Sequence, residues 1–501
     1  MNNASVRTPH RQYAYHCDKW SRIRHAIAGD LVRYLRDVGA NESDQKYGEA
    51  RQREYEDGAI CYNFTKRTLS GMVGAVMRKN PEQIIPDNME YLLKNADGSG
   101  VGLWQHAQDT LMEIDSIGRG GLLVDAPDVQ AATMAEQNAG KLNPVIAFYT
   151  AENIINWKLE RKGSSNALVM VVLREEYEYV EPDNEFVVKY GQQYRVLDIV
   201  DGKYRQRLFK FTEGGGEIEQ VVDIYPQLGN VPVDEIPFTF IGASNNDSTI
   251  DDAPMLPLCD LQIGHFRNSA DSEENTFVTG QVMLTISPGQ SMTPELWKEA
   301  NPNGVKFGAR CGINLGENGS AALLQASSST AARQGMLDKE QQAIQIGAQL
   351  ITPTQQITAE SARLQRGADT SVMATISNNV SEAYTRALKW VAGMMRISEG
   401  TEIEFKLNTE FFLQQMTAQD RTAWMADINA GYLPVTAYYA ALRAAGVTDW
   451  KDEDITDALE NQMPTRTNAT GNTTEVTGDI PATANGVEQQ GNEQQQQQQG
   501  V

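Results

Sequence analysis

The sequence predicts an α+β fold, because helical and strand-like patterns occupy different stretches of the chain. Near the amino terminus, apolar residues recur at three- and four-residue spacing, as in helices. The middle of the chain carries short apolar or alternating runs separated by Pro, Gly, Asp and Asn, which favours strands. From Asp251 onward, long helical patterns return around one Gly- and Pro-rich β-like piece, Gln281–Gln325.

The first 250 residues combine helices with strands. The helices are predicted over 15–40, 48–80 and 103–117, and Asn80-Pro81 ends the second because a residue before proline disfavours the α region. Asp201-Gly202 lies between two strand patterns and predicts a hairpin turn. The predicted strands are Leu122–Val124, Val145–Tyr149, Leu168–Tyr179, Phe186–Tyr190, Tyr194–Val200, Leu208–Phe211 and Phe238–Ile241.

Three helical runs follow Asp251, namely Ala253–Gly280, Ser328–Leu350 and Ile357–Arg396, and the breaker Thr352-Pro353-Thr354 separates the last two. The third run keeps one apolar stripe over many turns, so a helix on the order of 50–60 Å long is expected. That stripe comprises Leu364, Ala368, Val372, Ile376, Val380, Ala383, Ala387, Val391 and Met394.

The second of these runs is rich in small residues and in uncharged amides. Small residues allow two helices to approach closely, and amides can line a surface without gripping phosphate groups. The alternative interpretation is an exposed Gln-rich helix with no special role. The amides are Gln341, Gln342, Gln345 and Gln349.

The carboxyl-terminal part is predicted to hold a strand at Glu402–Leu407 and helices at Ala418–Ala430 and Val435–Ala445. From Gln462 onward the chain consists mainly of Thr, Asn, Gly and Gln, ending in Gln494–Gln499. Because so few large apolar side chains cannot offset the entropy of ordering, this tail is predicted to be disordered.

The chain is acidic, with 43 Lys and Arg against 66 Asp and Glu over 501 residues, a net charge of −23. Residues 1–80 have a positive net charge, with 14 basic against 9 acidic residues. Residues 451–501 have a negative net charge, with 2 basic against 9 acidic residues. An acidic surface repels phosphate groups, so a tightly gripping DNA-binding protein is disfavoured. A protein past which DNA slides needs that property, although acidity also simply favours solubility.

The sequence offers no pattern for a metal or disulfide site. The cysteines Cys17, Cys61, Cys259 and Cys311 are scattered, which favours a reducing compartment. The histidines near Cys17 have no recognised ligand spacing. Met1–Arg11 is polar and no run of 18 apolar residues occurs, so neither a signal peptide nor a membrane span is expected.

No catalytic signature holds, so we expect no enzyme and no cofactor. Leu122–Asp125 resembles a Walker B strand, but the chain lacks G-x-x-x-x-G-K-[ST], G-x-S-x-G and H-E-x-x-H. The acidic pairs Asp251-Asp252 and Glu273-Glu274 are the candidates for a metal-dependent nuclease. Carboxylates at helix starts and faces are common, which favours a structural interpretation.

The order helix, β insert, helix, proline-bearing loop and long helix resembles the stem, clip, stem, tunnel loop and wing helix of tailed-bacteriophage portal proteins. Leu256–Leu261 with His265–Asp271 is similar to the first stem helix of one portal subfamily. Ile357–Ala362 resembles the start of the helix after the tunnel loop, and Gly121–Pro127 with Ile154–Trp157 resembles the wing. The similarity covers about residues 15–450, and it depends on the ordered set more than on any one motif.

The resemblance implies a portal-type architecture. Its parts would be an α/β wing (1–250), a first stem helix (251–280), a clip (281–327), a second stem helix (328–350), a tunnel loop (351–358), a long wing helix with a strand (359–409), a helical crown (410–462) and a disordered tail (463–501).

The resemblance also implies a homo-oligomeric ring of about twelve subunits at one capsid vertex, made in the host cytoplasm. Its partners would be scaffold and major capsid protein, the large terminase, head-completion or adaptor proteins, and double-stranded DNA passing without sequence specificity. The tunnel loop would present Thr352, Pro353, Thr354, Gln355 and Gln356 to the DNA channel, which Gln341, Gln342, Gln345 and Gln349 of the stem would also line.

Three other interpretations remain open from the sequence. The first is another oligomeric virion component such as a head–tail adaptor, although adaptors are usually much shorter. The second is a packaging nuclease or ATPase, against which the missing P-loop argues. The third is a large cytoplasmic scaffold unrelated to viruses, which particle mass would distinguish from a ring.

Overall fold

The fold is described from a computed structural model. The structure describes residues 5–40, 43–125, 143–181, 184–211, 217–228, 231–302, 304–305, 312–327, 329–347, 359–398, 400–409, 411, 418–444, 446–448 and 450–462. Two compact units divide the chain, Met1–Phe412 and Leu413–Val501. The mixture of helices and antiparallel sheets confirms the α+β class.

Four helices open the first unit: α1 (Arg11–Ala28), α2 (Gln45–Gly58), α3 (Phe64–Val76) and α4 (Leu103–Ile117). The prediction for α4 is confirmed at both ends, but the other two predicted helices were too long. Gly29 ends α1 in a left-handed conformation, with φ of 80°, and its N–H bonds back to the helix, so 15–40 is not continuous. Extended backbone at Ala59 ends α2, and Asn63 caps α3, which splits the predicted helix 48–80 in two.

All strand pairings among the described residues are antiparallel, so the described part of the predicted α/β wing (1–250) contains antiparallel sheets in place of parallel ones. A three-stranded sheet has the order β11-β2-β3, and a five-stranded meander runs from β4 to β8. The bounds are β1 (Glu82–Ile84), β2 (Arg119–Asp125), β3 (Val145–Thr150), β4 (Ile154–Lys162), β5 (Ser165–Glu181), β6 (Asn184–Val200), β7 (Lys203–Phe211), β8 (Glu217–Ile224), β9 (Gln227–Leu228), β10 (Val231–Pro232) and β11 (Phe238–Gly242).

The β6–β7 hairpin confirms the turn prediction at Asp201-Gly202. Both residues have positive φ, 50° and 75°, as a two-residue turn between twisted strands requires. The prediction of separate strands at Phe186–Tyr190 and Tyr194–Val200 was wrong, because β6 runs through Gly191 without a break. β8 was not predicted from the sequence.

After the three-stranded sheet the chain forms a helix, a ribbon and a second helix. These are α5 (Leu256–Gly280), β12 (Val282–Ser287), the short α6 (Pro294–Ala300), β13 (Ser320–Gln325) and α7 (Ala331–Gln345). β12 and β13 pair in register from Val282↔Gln325 to Ser287↔Ser320. The two helices and the β insert were predicted, whereas α6 was not.

The long helix α8 (Ala359–Met394) has 36 residues, about 54 Å of helix. Its second half packs against α4, β2, β11 and β14 (Glu404–Lys406), and β14 pairs with β1. The buried residues of this half are Met373, Ile376, Val380, Ala383, Tyr384, Ala387, Leu388 and Val391. Val372 was predicted to belong to the apolar stripe, but it is exposed, since Met373 takes the inward position.

The second unit contains α9 (Ala418–Asn429), α10 (Val435–Ala444) and α11 (Asp452–Gln462). The first two confirm the predicted helices. α11 was not predicted. It begins with three acidic residues, Asp452, Glu453 and Asp454, which the partial positive charge of a helix amino terminus stabilises. The predicted disordered tail, 463–501, lies outside the described residues.

The core of the first unit encloses a carboxyl group that lacks a hydrogen-bond partner among the described residues. Asp115 lies on α4 with its side chain buried, and neither oxygen receives a donor there. Burial disfavours the charged form and raises the pKa of Asp115 to about 8. The folded state therefore holds a proton that the unfolded chain releases at much lower pH.

Asp115→Asn should remove this pH dependence. A folded-state pKa raised above the unfolded value means that stability is full below the unfolded pKa and declines as pH rises toward 8. The free energy of unfolding of the variant, relative to the natural protein, should increase by about 1–3 kcal/mol between about pH 5 and pH 7. Urea unfolding at both pH values measures this difference, and a constant offset would contradict the assignment.

Candidate assembly surface

The helices α5 and α7 form an antiparallel pair, as two contacts along their length establish. Asn275 Nδ2 donates to the Ser329 carbonyl oxygen at 2.8 Å, near the ribbon. Further from the ribbon, His265 Nε2 lies 3.1 Å from Glu340 Oε1. As residue numbers fall on α5 they rise on α7, so the two helices run in opposite directions.

Close approach of α5 and α7 depends on one glycine from each helix. A Cβ atom on Gly335 would collide with the side-chain amide of Asn268, and one on Gly264 would meet the Lys339 side chain. Each glycine therefore makes room for a longer side chain of the opposite helix. The small residues predicted on the second stem helix have this role at Gly335.

The first half of α5 is held firmly by the amino-terminal helices. Gln262 accepts from the Thr65 N–H at 2.9 Å and donates to the Ala26 carbonyl at 2.8 Å, and it is buried. The Tyr55 hydroxyl donates to Asp271 at 2.6 Å. Burial and this hydrogen bond raise the pKa of Tyr55 to about 12.

A buried arginine fastens the loop that leads into α5. The Arg119 guanidinium donates to the carbonyl oxygens of Asp247, Ser248 and Thr249 at 3.1 to 3.2 Å. It also lies 4.0 Å from the centroid of the Phe240 ring. Burial lowers the pKa of Arg119 to about 9, and the carbonyls and ring face replace much of the lost hydration.

The β12–β13 ribbon, by contrast, exposes apolar side chains on both of its faces. Met283 pairs with Leu324 on one face, and their side chains are 65% and 55% exposed. Leu323, paired with Leu284, lies exposed on the other face. At the adjoining end of α5, Phe277 and Val278 are also exposed. A two-stranded ribbon of this kind is marginally stable alone in water, so both faces need a cover.

The predicted channel-lining amides that the structure describes lie on the outer side of α7. Gln341, Gln342 and Gln345 are exposed, while the intervening Ala343 is buried. The fourth amide, Gln349, and the tunnel-loop residues Thr352, Pro353, Thr354, Gln355 and Gln356 lie outside the described residues.

One residue of each acidic pair considered for catalysis has a structural partner. Asp251 Oδ2 accepts from the Ser244 N–H at 2.8 Å, and Glu274 pairs with Arg51 at 2.7 Å. His10 stacks on Trp157, and His25 Nδ1 lies 2.9 Å from the Tyr34 hydroxyl, so these histidines do not converge. Within the described part of the chain, no group of three or more His, Cys, Asp or Glu is placed to hold a metal ion.

The described helices include none that is both long and apolar enough to span a membrane. The sequence did not reveal the contacts of Gly264 and Gly335 or the contact between His265 and Glu340. It also did not reveal the hydrogen bonds from Arg119 to the loop 247–249, which we name the Arg119 clamp. Each depends on residues more than 60 positions apart along the chain or on a loop packed against a distant strand, which local sequence patterns do not predict.

Residues 254–395 match a family model described as a domain of unknown function, DUF4055. The matched segment begins just before α5 and ends just after α8, so it contains the helix pair, the ribbon and the long helix, but less than half of the chain. No curated protein matches the sequence.

Two solved structures resemble the fold at a distance. A chain from the virion of a native gene transfer agent particle has 15% sequence identity and a TM-score of 0.39, covering 83% of this chain and 96% of that one. A chain from the neck of an empty gene transfer agent particle has 14% identity and a TM-score of 0.39, covering 74% and 86%. Neither likeness is close enough to assign a role.

Gly335→Leu should force α7 away from α5, because the larger side chain enters the space that Asn268 occupies. Amide hydrogen exchange across Ala331–Gln345 should accelerate by about tenfold or more, while α4 keeps its protection. Gly393→Leu is the matched control, since an added side chain at this exposed position of α8 meets open space. Equal exchange in both variants would contradict the role of Gly335.

Proposed function

We propose that the chain is a portal subunit of a tailed bacteriophage, copies of which close into a ring at one vertex of the capsid. DNA would be driven inward through the ring by the terminase motor and later leave through it. Head-completion and tail proteins would then attach to the same ring. The exposed surfaces of the chain and its charge support this role.

The observation that carries the proposal is the exposed β12–β13 ribbon at the end of the α5–α7 pair. Its two faces are apolar and opposite, so one partner cannot cover both. In a closed ring every subunit has a neighbour on each side and uses two different faces to meet them. A ring of copies therefore covers both faces of the ribbon with the same chain.

The distribution of polar groups suits a channel for DNA. A wall that neutralised even a few phosphates would hold the polyanion with salt-sensitive affinity and stall its movement. This chain has a net charge of −23, and α7 presents the uncharged Gln341, Gln342 and Gln345 to solvent. Amides carry no net charge and neutralise no phosphate, so they release no counterions and allow DNA to pass without the retention that Lys and Arg would cause.

Ring formation is tested on the purified protein by sedimentation and negative-stain microscopy. Rings seen along their axis, with a mass many times the 55.4 kDa of one chain, support the proposal. A protein that stays a 55.4 kDa monomer at high concentration, or that binds duplex DNA tightly at moderate salt, overturns it.

The double substitution Met283→Asp with Leu324→Asp should prevent rings from forming. Carboxylates placed at an apolar contact lose hydration without gaining a partner, so the ring fraction should fall by about tenfold or more. Sedimentation measures the fraction, and circular dichroism verifies that the subunits remain folded. Leu159→Asp, on the exposed side of β4, is the control, and equal loss of rings in the control would contradict the role of the ribbon.

Gln355→Asp should leave ring assembly unchanged and reduce DNA packaging. A ring of added carboxylates at a narrow point would repel the phosphate backbone, and the repulsion grows where water is scarce. Nuclease-protected DNA per particle measures packaging, and Gln355→Asn is the uncharged control. Packaging at the natural level in the Asp variant would contradict the placement of this loop in the channel.

A further inference from the structure

The β5–β6 hairpin extends beyond the five-stranded sheet as a two-stranded arm, residues 174–191. β4 stops pairing with β5 at Leu173, and β7 begins pairing with β6 at Gln192, so neither outer strand flanks the arm. The arm carries six carboxylates against two basic residues. It is therefore an acidic projection with open strand edges.

One face of the arm is covered by its own side chains. The Tyr177 ring lies over Gly191, where a Cβ atom would come within 2.6 Å of the ring. Tyr179 packs beside Tyr177 with ring centroids 5.8 Å apart, and Lys210 Nζ lies 4.8 Å from the Tyr177 centroid. This face needs no further partner.

The opposite face, which we name the open face, has no such cover. It contains Glu178 opposite Tyr190 and Val180 opposite Val188, because alternate residues of a strand share a face. Val180, Val188 and Tyr190 are 50%, 45% and 61% exposed. Glu176 continues the same face toward the sheet, so an apolar patch lies beside two exposed carboxylates.

A surface of complementary character lies where α2 meets α3, at residues 60–67, which we name the basic corner. Ile60, Tyr62, Lys66 and Arg67 are exposed there. No Asp or Glu occurs from residue 58 to 81, although the chain as a whole is acidic. The corner is also rigid, since the Ile60 N–H donates to Ser269 Oγ of α5 at 2.9 Å.

The arm and the basic corner belong to different parts of the first unit. α3 packs against α1, α4, α5 and α8, whereas the strands of the arm continue into the β4–β8 sheet. Two arms would repel each other because both are acidic, so a symmetric arm-to-arm contact is disfavoured. A heterologous contact between copies needs two unlike surfaces, and these two match in charge and in apolar character.

We propose that the open face of the arm docks on the basic corner of the neighbouring copy. This contact rests on the proposed ring and adds to it a second interface, distant in sequence from the ribbon. Val180, Val188 and Tyr190 would cover Ile60 and Tyr62, while Glu176 and Glu178 would meet Lys66 and Arg67. The salt sensitivity of such paired charges would make ring assembly weaker at high ionic strength.

Two charge-reversed variants test the contact. The arm variant carries Glu176→Lys and Glu178→Lys, and the corner variant carries Lys66→Glu and Arg67→Glu. Each variant alone places like charges across every contact, so rings should fall by about tenfold or more. In an equimolar mixture, alternating copies restore opposite charges at every contact, and at least about half of the natural ring fraction should return. Glu82→Lys with Glu90→Lys, two exposed acids outside the arm, is the control.

The outcomes separate this contact from the ring itself. Recovery in the mixture supports docking of the arm on the corner, provided that neither variant is incorporated into the rings that the control forms by itself. Normal rings from the arm variant, or no recovery in the mixture when circular dichroism shows both variants folded, overturn the arm contact and leave the ring proposal intact. A monomeric natural protein overturns the ring proposal instead.

Discussion

The packing of the second half of α8 is the constraint on which the first unit depends. This half lies against α4 and crosses β2 and β11, so one helix closes the core of the three-stranded sheet. Its large buried apolar side chains, such as Ile376 and Leu388, each contribute roughly 1.5–3 kcal/mol of burial free energy. Tyr384 also lies 2.7 Å from His106 Nδ1 and 2.8 Å from Thr110 Oγ1, which fixes the rotation of α8 against α4.

Two kinds of projection extend from this core. They differ in how many stabilising contacts they make within the chain. The α5–α7 pair is locked by matching glycine contacts and by hydrogen bonds to the amino-terminal helices. The β12–β13 ribbon and the β5–β6 arm lack such support and expose valine, leucine, methionine and tyrosine side chains. In a chain that folds around so complete a core, unsupported apolar surfaces at the ends of projections indicate contacts with other molecules.

The sequence predicted elements well where the signal was local. α4 has its predicted ends because its apolar stripe stops at Gly118, and the β6–β7 turn follows directly from Asp201-Gly202. Prediction from the sequence failed where contacts between distant residues determine the local structure. Gly191 suggested a break within β6, yet the ring of Tyr177 covers it and the strand continues. Met373 is buried in place of Val372 because of the position of the sheet against which α8 packs. The spacing of apolar residues along the sequence does not predict that position.

The candidate surfaces were predictable only in part. The exposed amides Gln341, Gln342 and Gln345 follow from composition, since uncharged polar residues recur near the end of a helix whose small residues face inward at Ala343. The sequence did not predict the open face of the arm because its residues come from two strands. Only the pairing register places Val180 opposite Val188. The alternation of Glu with Tyr from Glu176 to Tyr179 is the sequence pattern of a strand with two unlike faces.

The Arg119 clamp has a mechanical consequence. The carbonyl groups of Asp247, Ser248 and Thr249, in the loop between β11 and α5, all accept hydrogen bonds from a single guanidinium. A force that pulls along α5 would therefore be distributed over several hydrogen bonds, which would have to break together. The sheet would bear this force before the loop could extend. A force applied to α5 would therefore reach the three-stranded sheet through Arg119, which lies on β2.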